Sequence, residues 1–306
     1  MIRKQHALTL ALTLVLGVAA LSCRRRESGP EAIRIAYLPI THAVVLQELA
    51  GSGDVPVELI RYGSWPELQD ALNTGRVEAA SVLIESSMKA REQGIGLSAL
   101  ALGHRSGNVV ILDQALATLA DVRGRSFAIP HRNSSHYLLL REALSQAGID
   151  ISEVKIVELP PPEMPSALAS GRIAGYCVAE PFGAVSVHAG HGKVQVHSDE
   201  LWPDSICCAL VANRQFVQSR PELAAKLRQA YLAAGERLAD RTLAMSSAQA
   251  MLRQPAPVLE LSLQWISYRN LALTRSAYDD LCDKVRRYGL SGNPPSYDDF
   301  VYVEQP

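Results

Sequence analysis

The residues best suited to chemistry on a small molecule sit where apolar runs end. In "PHRNSSHY" (residues 130–137), Asn133, Ser134 and Ser135 offer hydroxyls and N–H groups at a helix start, with His131, Arg132 and His136 beside them. A helix N-terminus of this kind favours an anion, although an ordinary capped helix with solvated histidines reads the same way. Thr41 and His42 follow the first strand-like run and begin another helix, as an anion position or a simple N-cap. Trp65 opens the next helix, where it either stacks on a flat ligand or acts as a hydrophobic staple. Glu85 and Ser86 end one buried run; Glu180, Pro181 and Phe182 end a later one, and Glu180 is the stronger candidate of the two carboxylates. His104 and Asn108 in "GHRSGN" either line a site or form a surface turn, whereas His188, His191 and His197 read as surface.

Other chemistries find no motif. There is no nucleophile elbow, Gly-rich phosphate loop or zinc spacing, so no catalytic residue, cofactor or metal is expected. Beyond Cys23, the cysteines are Cys177, Cys207, Cys208 and Cys282. They match no Cys-x-x-Cys pattern and read as small buried hydrophobes. A bridge from Cys177 to Cys207 or Cys208 stays open if their strands are neighbours. A net charge of −1 and 6% aromatic residues argue against a nucleic-acid binder.

These candidates need elements to hold them. "AIRIAYL" (32–38), "VPVELI" (55–60) and "VEAASVLI" (77–84) read as strands, with "SWPELQDALNTG" between the last two as a helix. Ser64 and Glu67 form its capping box and Gly75 its left-handed stop. After the strand "NVVILD" (108–113) the order restarts: "SFAIP", a helix in "NSSHYLLLREALSQAG", "EVKIVEL", a helix in "PPEMPSALASG", then "IAGYCVAE" (173–180). The phrases "ALNTGRVEAA" and "ALASGRIAGY", 96 residues apart, fall at the same helix-to-strand step of each half. Two related βαβαβ lobes with mostly parallel sheets follow. From Ser219 the chain turns helical, beginning with a Ser219/Glu222 capping box.

The first residues carry a separate signal. "MIRKQH" and "ALTLALTLVLGVAALS" resemble a bacterial lipoprotein signal with "ALSC" as lipobox and Cys23 as the lipidated residue, although Ala20 replaces the usual Leu. Residues 1–23 would be the signal peptide and 24–30 a tether. Export and a lipid anchor on a bacterial membrane, facing the periplasm or exterior, follow.

The ordered set "IAYLPITHA", "GRVEAASV", "GNVVIL", "YCVAEPFGAVSV" and "LWPDSICCALVANRQFVQSRPE" resembles the nitrate/sulfonate/bicarbonate (NitT/TauT-type) substrate-binding proteins of ABC importers. The resemblance runs from about Ile33 to Val301. It implies an α/β, two-lobed type II periplasmic-binding-protein fold with two crossover strands and a helical tail packed on lobe I. Lobe I would be 31–108 plus 208–306, and lobe II 109–207. It further implies a non-enzymatic monomer that captures a small solute in the interlobe cleft and delivers it to permease and ATPase subunits. Cleft contacts would be Thr41, His42, Trp65, Glu85, Ser86, Asn108, His131, Asn133, Ser134, Ser135, Glu180 and Trp202. The solute stays open: an oxyanion would lack a Lys partner, while two carboxylates suit amine donors on a heterocycle such as a vitamin precursor. An enzyme or a ligand sensor on the same fold is the alternative.

Overall fold

The computed structural model describes residues 32–303, so the expected signal peptide, tether and Cys23 lie outside the described residues. In chain order the strands are β1 (Ile33–Tyr37), β2 (Val57–Arg61), β3 (Ala79–Leu83), β4 (Leu97–Leu102), β5 (Arg105–Ser106) and β6 (Asn108–Asp113). They continue with β7 (Ser126–Ile129), β8 (Lys155–Glu158), β9 (Gly175–Ala179), β10 (Gly192–His197), β11 (Cys208–Asn213) and β12 (Ile266–Ser267). One sheet has the order β2-β1-β3-β11-β4 and a second the order β10-β6-β9-β7-β8. β5 and β12 pair as a small antiparallel ribbon that the sequence reading does not foresee.

The two sheets share one plan. β1 runs parallel to β2 and β3, and β7 runs parallel to β8 and β9. In each sheet a single reversed strand sits beside the third one: β11 beside β3, and β6 beside β9. The reversed strand of each sheet is the one that arrives from the other half of the chain. β3 and β9 are buried along their whole length, as parallel strands covered on both faces must be.

The twin phrases hold equivalent positions. Helix Trp65–Asn73 ends before Gly75 (φ 72°) and feeds β3; helix Met164–Ala169 ends before Gly171 (φ 70°) and feeds β9. Glycine meets the left-handed turn at both stops without steric cost. Ser64 accepts a hydrogen bond from the Glu67 N–H at 3.4 Å, the N-cap half of the expected box, while the return bond from the Ser64 N–H to the Glu67 side chain does not form.

The Ser219/Glu222 capping box does not form. Ser219 ends a short helix, Arg214–Ser219, and its hydroxyl turns back to the Phe216 carbonyl. The next helix, Pro221–Arg237, instead opens on Pro221, whose missing N–H needs no partner in a first turn. This helix and Arg241–Met251 pack on helix Val44–Ser52 beside the first sheet. Helix Ala256–Ser262 packs on Phe182–His188, which follows β9 of the second. Among the described residues no helix is long and apolar enough to cross a membrane.

Candidate functional site

A parallel sheet gathers the carboxyl ends of its strands along one edge, and a reversed strand brings its own first residues to that edge. Thr41 and His42 follow β1 in a single 3-10 turn. Glu85 follows β3 in the first turn of helix Ile84–Glu92. His104 follows β4, and Cys207 and Cys208 begin β11, with Cys208 directly opposite Leu83. From the second sheet, His136 sits in the first turn of helix Ser135–Gln146 after β7, and Glu180 follows β9.

These side chains meet in the interior. His42, His136, Cys208 and Glu180 are fully buried, His104 and Cys207 are 1% exposed and Glu85 is 3% exposed. One donor atom each from His42, His104, Cys207 and Cys208 lies within 4.8 Å of the others. The two sulfurs are 3.8 Å apart, and His42 Nδ1 lies 3.4 Å from Cys208 Sγ and 3.7 Å from Cys207 Sγ. The His42 and His104 rings stack with centroids 3.3 Å apart.

Backbone contacts fix the ring orientation. His42 Nε2 faces the Gly107 carbonyl at 3.2 Å, and His104 Nδ1 faces the Ser106 carbonyl at 2.7 Å. A carbonyl only accepts, so each of these nitrogens carries the hydrogen. The lone pairs therefore fall on His42 Nδ1, toward the sulfurs, and on His104 Nε2, which is buried with no hydrogen-bond partner. Gly103 allows the close approach: a Cβ there would lie 3.0 Å from the His42 carbonyl oxygen and 3.1 Å from that of Cys208.

The charges suit a cation. Burial, with His104 beside it, pushes the His42 imidazole down to about 4 against the opposing pull of the Cys207 sulfur, so the ring is a neutral ligand. Burial alone would raise the Cys207 thiol, but the Cys208 hydrogen bond and the His136 and His42 rings outweigh it and hold the thiol well below its usual range. Burial and the neighbouring Cys207 push Cys208 well up, so the pair shares one negative charge. Burial, then the Cys207 charge, raises Glu85 far above the carboxylate range; burial lifts Glu180 to about 8 despite the Ala184 N–H. Among the described residues no Lys or Arg is buried.

Two soft thiol sulfurs and two oriented imidazole nitrogens form a donor set for zinc or a related transition metal. Zn–S near 2.3 Å and Zn–N near 2.0–2.1 Å in a tetrahedron place sulfurs roughly 3.8 Å apart, and sulfur and nitrogen about 3.5 Å apart. The separations of 3.8, 3.4 and 3.7 Å among the sulfurs and His42 Nδ1 match that spacing. The sequence reading misses this cluster because its members come from separate elements and only Cys207 and Cys208 are close in the chain. Its usable signal is positional: three histidines each follow a strand and an adjacent cysteine pair opens the reversed one. The disulfide left open does not form. All four cysteines among the described residues are free, and Cys177 lies on β9, which pairs with β6 and β7 and not with β11.

The other candidates divide. Thr41 donates through both N–H (2.9 Å) and Oγ1 (2.8 Å) to the Glu180 carbonyl, tying the end of β1 to the end of β9. Ser86 Oγ donates to the Asn133 carbonyl at 3.1 Å, a second tie between the halves. Asn108, Ser135 and the Trp65 indole N–H are buried with unpartnered polar atoms. Ser134 caps its helix by accepting from the Tyr137 N–H. His131 is half-buried and accepts from the Asn133 N–H. Arg132 is exposed and held by the Ile156 carbonyl and Glu158, so it contributes no charge to the interior. Trp202 is turned to helix Arg275–Arg287, donating to Asp280 under the Lys284 ammonium. His188 and His191 are exposed, and His197 packs edge-on against Trp265.

The model of the NMT1-like family matches residues 26–252. A solved ligand-binding component of an ABC-type import system from Staphylococcus aureus, with zinc bound, superposes with a TM-score of 0.85 at 38% identity, over 89% of this chain and 97% of that one. A nitrate import ATP-binding protein of Synechocystis is 28% identical over 70% of this chain and 36% of its own length. A putative aliphatic sulfonates-binding protein of Escherichia coli is 24% identical over 64% of each. The chain thus spans about a third of the first of these curated relatives and under two thirds of the second.

Proposed function

The chain belongs to the NMT1-like family, and from that premise we propose that it is the exported solute-binding component of an ABC importer whose cargo is a soft transition-metal dication, zinc foremost. One observation carries the choice of cargo: donor atoms of His42, His104, Cys207 and Cys208 converge in the interior within 4.8 Å of one another, with both rings oriented by backbone carbonyls. The zinc in the Staphylococcus aureus neighbour supports it. The nitrate and sulfonate names of the relatives favour an oxyanion. Here an anion would instead face a thiolate and two carboxyl groups with no buried Lys or Arg beside it.

In this reading the protein captures and releases its ion without turnover. Residues 31–108 with 208–306 and residues 109–207 act as two lobes that close on the ion. Cys23 carries the lipid anchor, and a monomer delivers the ion to permease and ATPase subunits. The test is metal titration of the purified chain. Zinc at 100 times its Kd should stabilise the fold by roughly 2.7 kcal/mol, with one ion per chain by native mass spectrometry. Cys207→Ser and His42→Gln should each abolish the shift. Stabilisation by nitrate, bicarbonate or an alkanesulfonate, with none by zinc, would overturn the metal reading.

A further inference from the structure

The four converging donors all belong to the first sheet or to the segments that enter it: His42 after β1, His104 after β4, and Cys207 and Cys208 at the start of β11. One further donor approaches from the other half. His136 sits on helix Ser135–Gln146, which packs on β9 of the second sheet. Its Nε2 lies 3.9 Å from Cys207 Sγ, its ring is within 6° of parallel to His42 with centroids 6.3 Å apart, and its Nδ1 is buried without a partner. No backbone carbonyl orients this imidazole, in contrast to His42 and His104.

We propose that His136, through its contact with Cys207 Sγ, couples ion occupancy to closure of the two halves. This deepens the metal reading above and rests on it. The first-sheet donors can hold an ion whichever way the second half sits, and an ion held equally well in both arrangements shifts neither. Closure requires a contact that exists only when the halves meet. His136 supplies it, because it is the imidazole that the second sheet brings to the sulfurs. The Ser86–Asn133 and Thr41–Glu180 hydrogen bonds also join the halves, but they involve no ion and favour closure equally with and without it.

The experiment measures the distance between spin labels placed one on each half, with and without Zn2+, in the otherwise full chain. The wild type should close on zinc. His136→Gln should still bind one zinc, with affinity reduced about tenfold, and should fail to close. Ser86→Ala should close on zinc as the wild type does, since its bond is independent of the ion. Normal zinc-driven closure of His136→Gln would overturn the proposal. So would complete loss of zinc binding, which would place His136 among the primary donors. Absence of zinc binding by the wild type would remove the cargo reading itself, a distinct result. Thermal unfolding of each metal-free variant confirms that the fold is retained.

Discussion

Loading zinc onto the two cysteines should release about one proton per ion, fewer than free thiols would give. Two thiols of ordinary pKa near 8.5 would together release about 1.8 protons at about pH 7.5. In this site the Cys208 hydrogen bond and the neighbouring rings outweigh burial and hold the Cys207 thiol well below its usual range before the ion arrives. His42, pushed down to about 4, is already neutral. Cys208 is raised well above its usual value and keeps its proton until the metal displaces it. The proton count is read from calorimetric zinc titrations in buffers of different ionisation enthalpy. A count near one also means that zinc affinity rises about tenfold per pH unit around neutrality. Cys208→Ser should bring the count close to zero while leaving Cys207 ionised. A count near 1.8 in the wild type, or an unchanged count in Cys208→Ser, would refute the shared-charge description of the pair.

Three further outcomes follow from named contacts. Glu180 is raised from 4.5 to about 8, so its contribution to stability is complete below 4.5 and is lost as pH rises through about 8. In chelator, the stability of Glu180→Gln relative to wild type should therefore grow by about 2 kcal/mol between pH 6.5 and 8, measured by urea unfolding at each pH. Gly103→Ala forces a methyl against the His42 and Cys208 carbonyls; it should cost about 1–3 kcal/mol of stability and weaken zinc binding in the same titration. Tyr288 donates to Glu142 at 2.6 Å, tying the C-terminal helices to helix Ser135–Gln146; Tyr288→Phe should cost about 0.5–1.5 kcal/mol of stability and leave zinc affinity and stoichiometry unchanged, since this tie, like that of Ser86, involves no ion.

The architecture was legible because each of its signals is local. Gly75 and Gly171 mark helix stops, β3 and β9 are short, mostly apolar runs buried throughout, and Ser64 and Ser134 cap the helices they precede. Local rules also placed candidates at strand ends: His42 and Glu85 follow strands of the first sheet and Glu180 follows one of the second, each at the carboxyl edge of its own sheet. The donor set itself was not legible. Spacing rules for metal sites describe ligands on one loop or hairpin, whereas His42 and Cys208 are 166 residues apart. They meet only because β11 returns from the second half and runs antiparallel to β3. The anion reading of residues 131–136 misjudged Arg132, because its outward ties to Ile156 and Glu158 depend on β8 lying beside β7.

The same charge count that selects the cargo also sets what closure can discriminate. Without an ion, the two sulfurs lie against the His42 and His104 rings, with no Lys or Arg among the buried described residues. An oxyanion would bring a negative charge against those sulfurs and the carboxyl groups beside them. A dication that displaces the Cys208 proton leaves two thiolates and two positive charges, a neutral group that low-dielectric surroundings tolerate. Glu85 fits this balance because burial and the Cys207 charge keep it protonated, so it adds no charge of its own. A monovalent soft ion leaves a net negative charge once both cysteines ionise. The site therefore favours a dication by neutrality as well as by donor softness, and the arrangement in which the halves meet is electrostatically comfortable only when that dication is present.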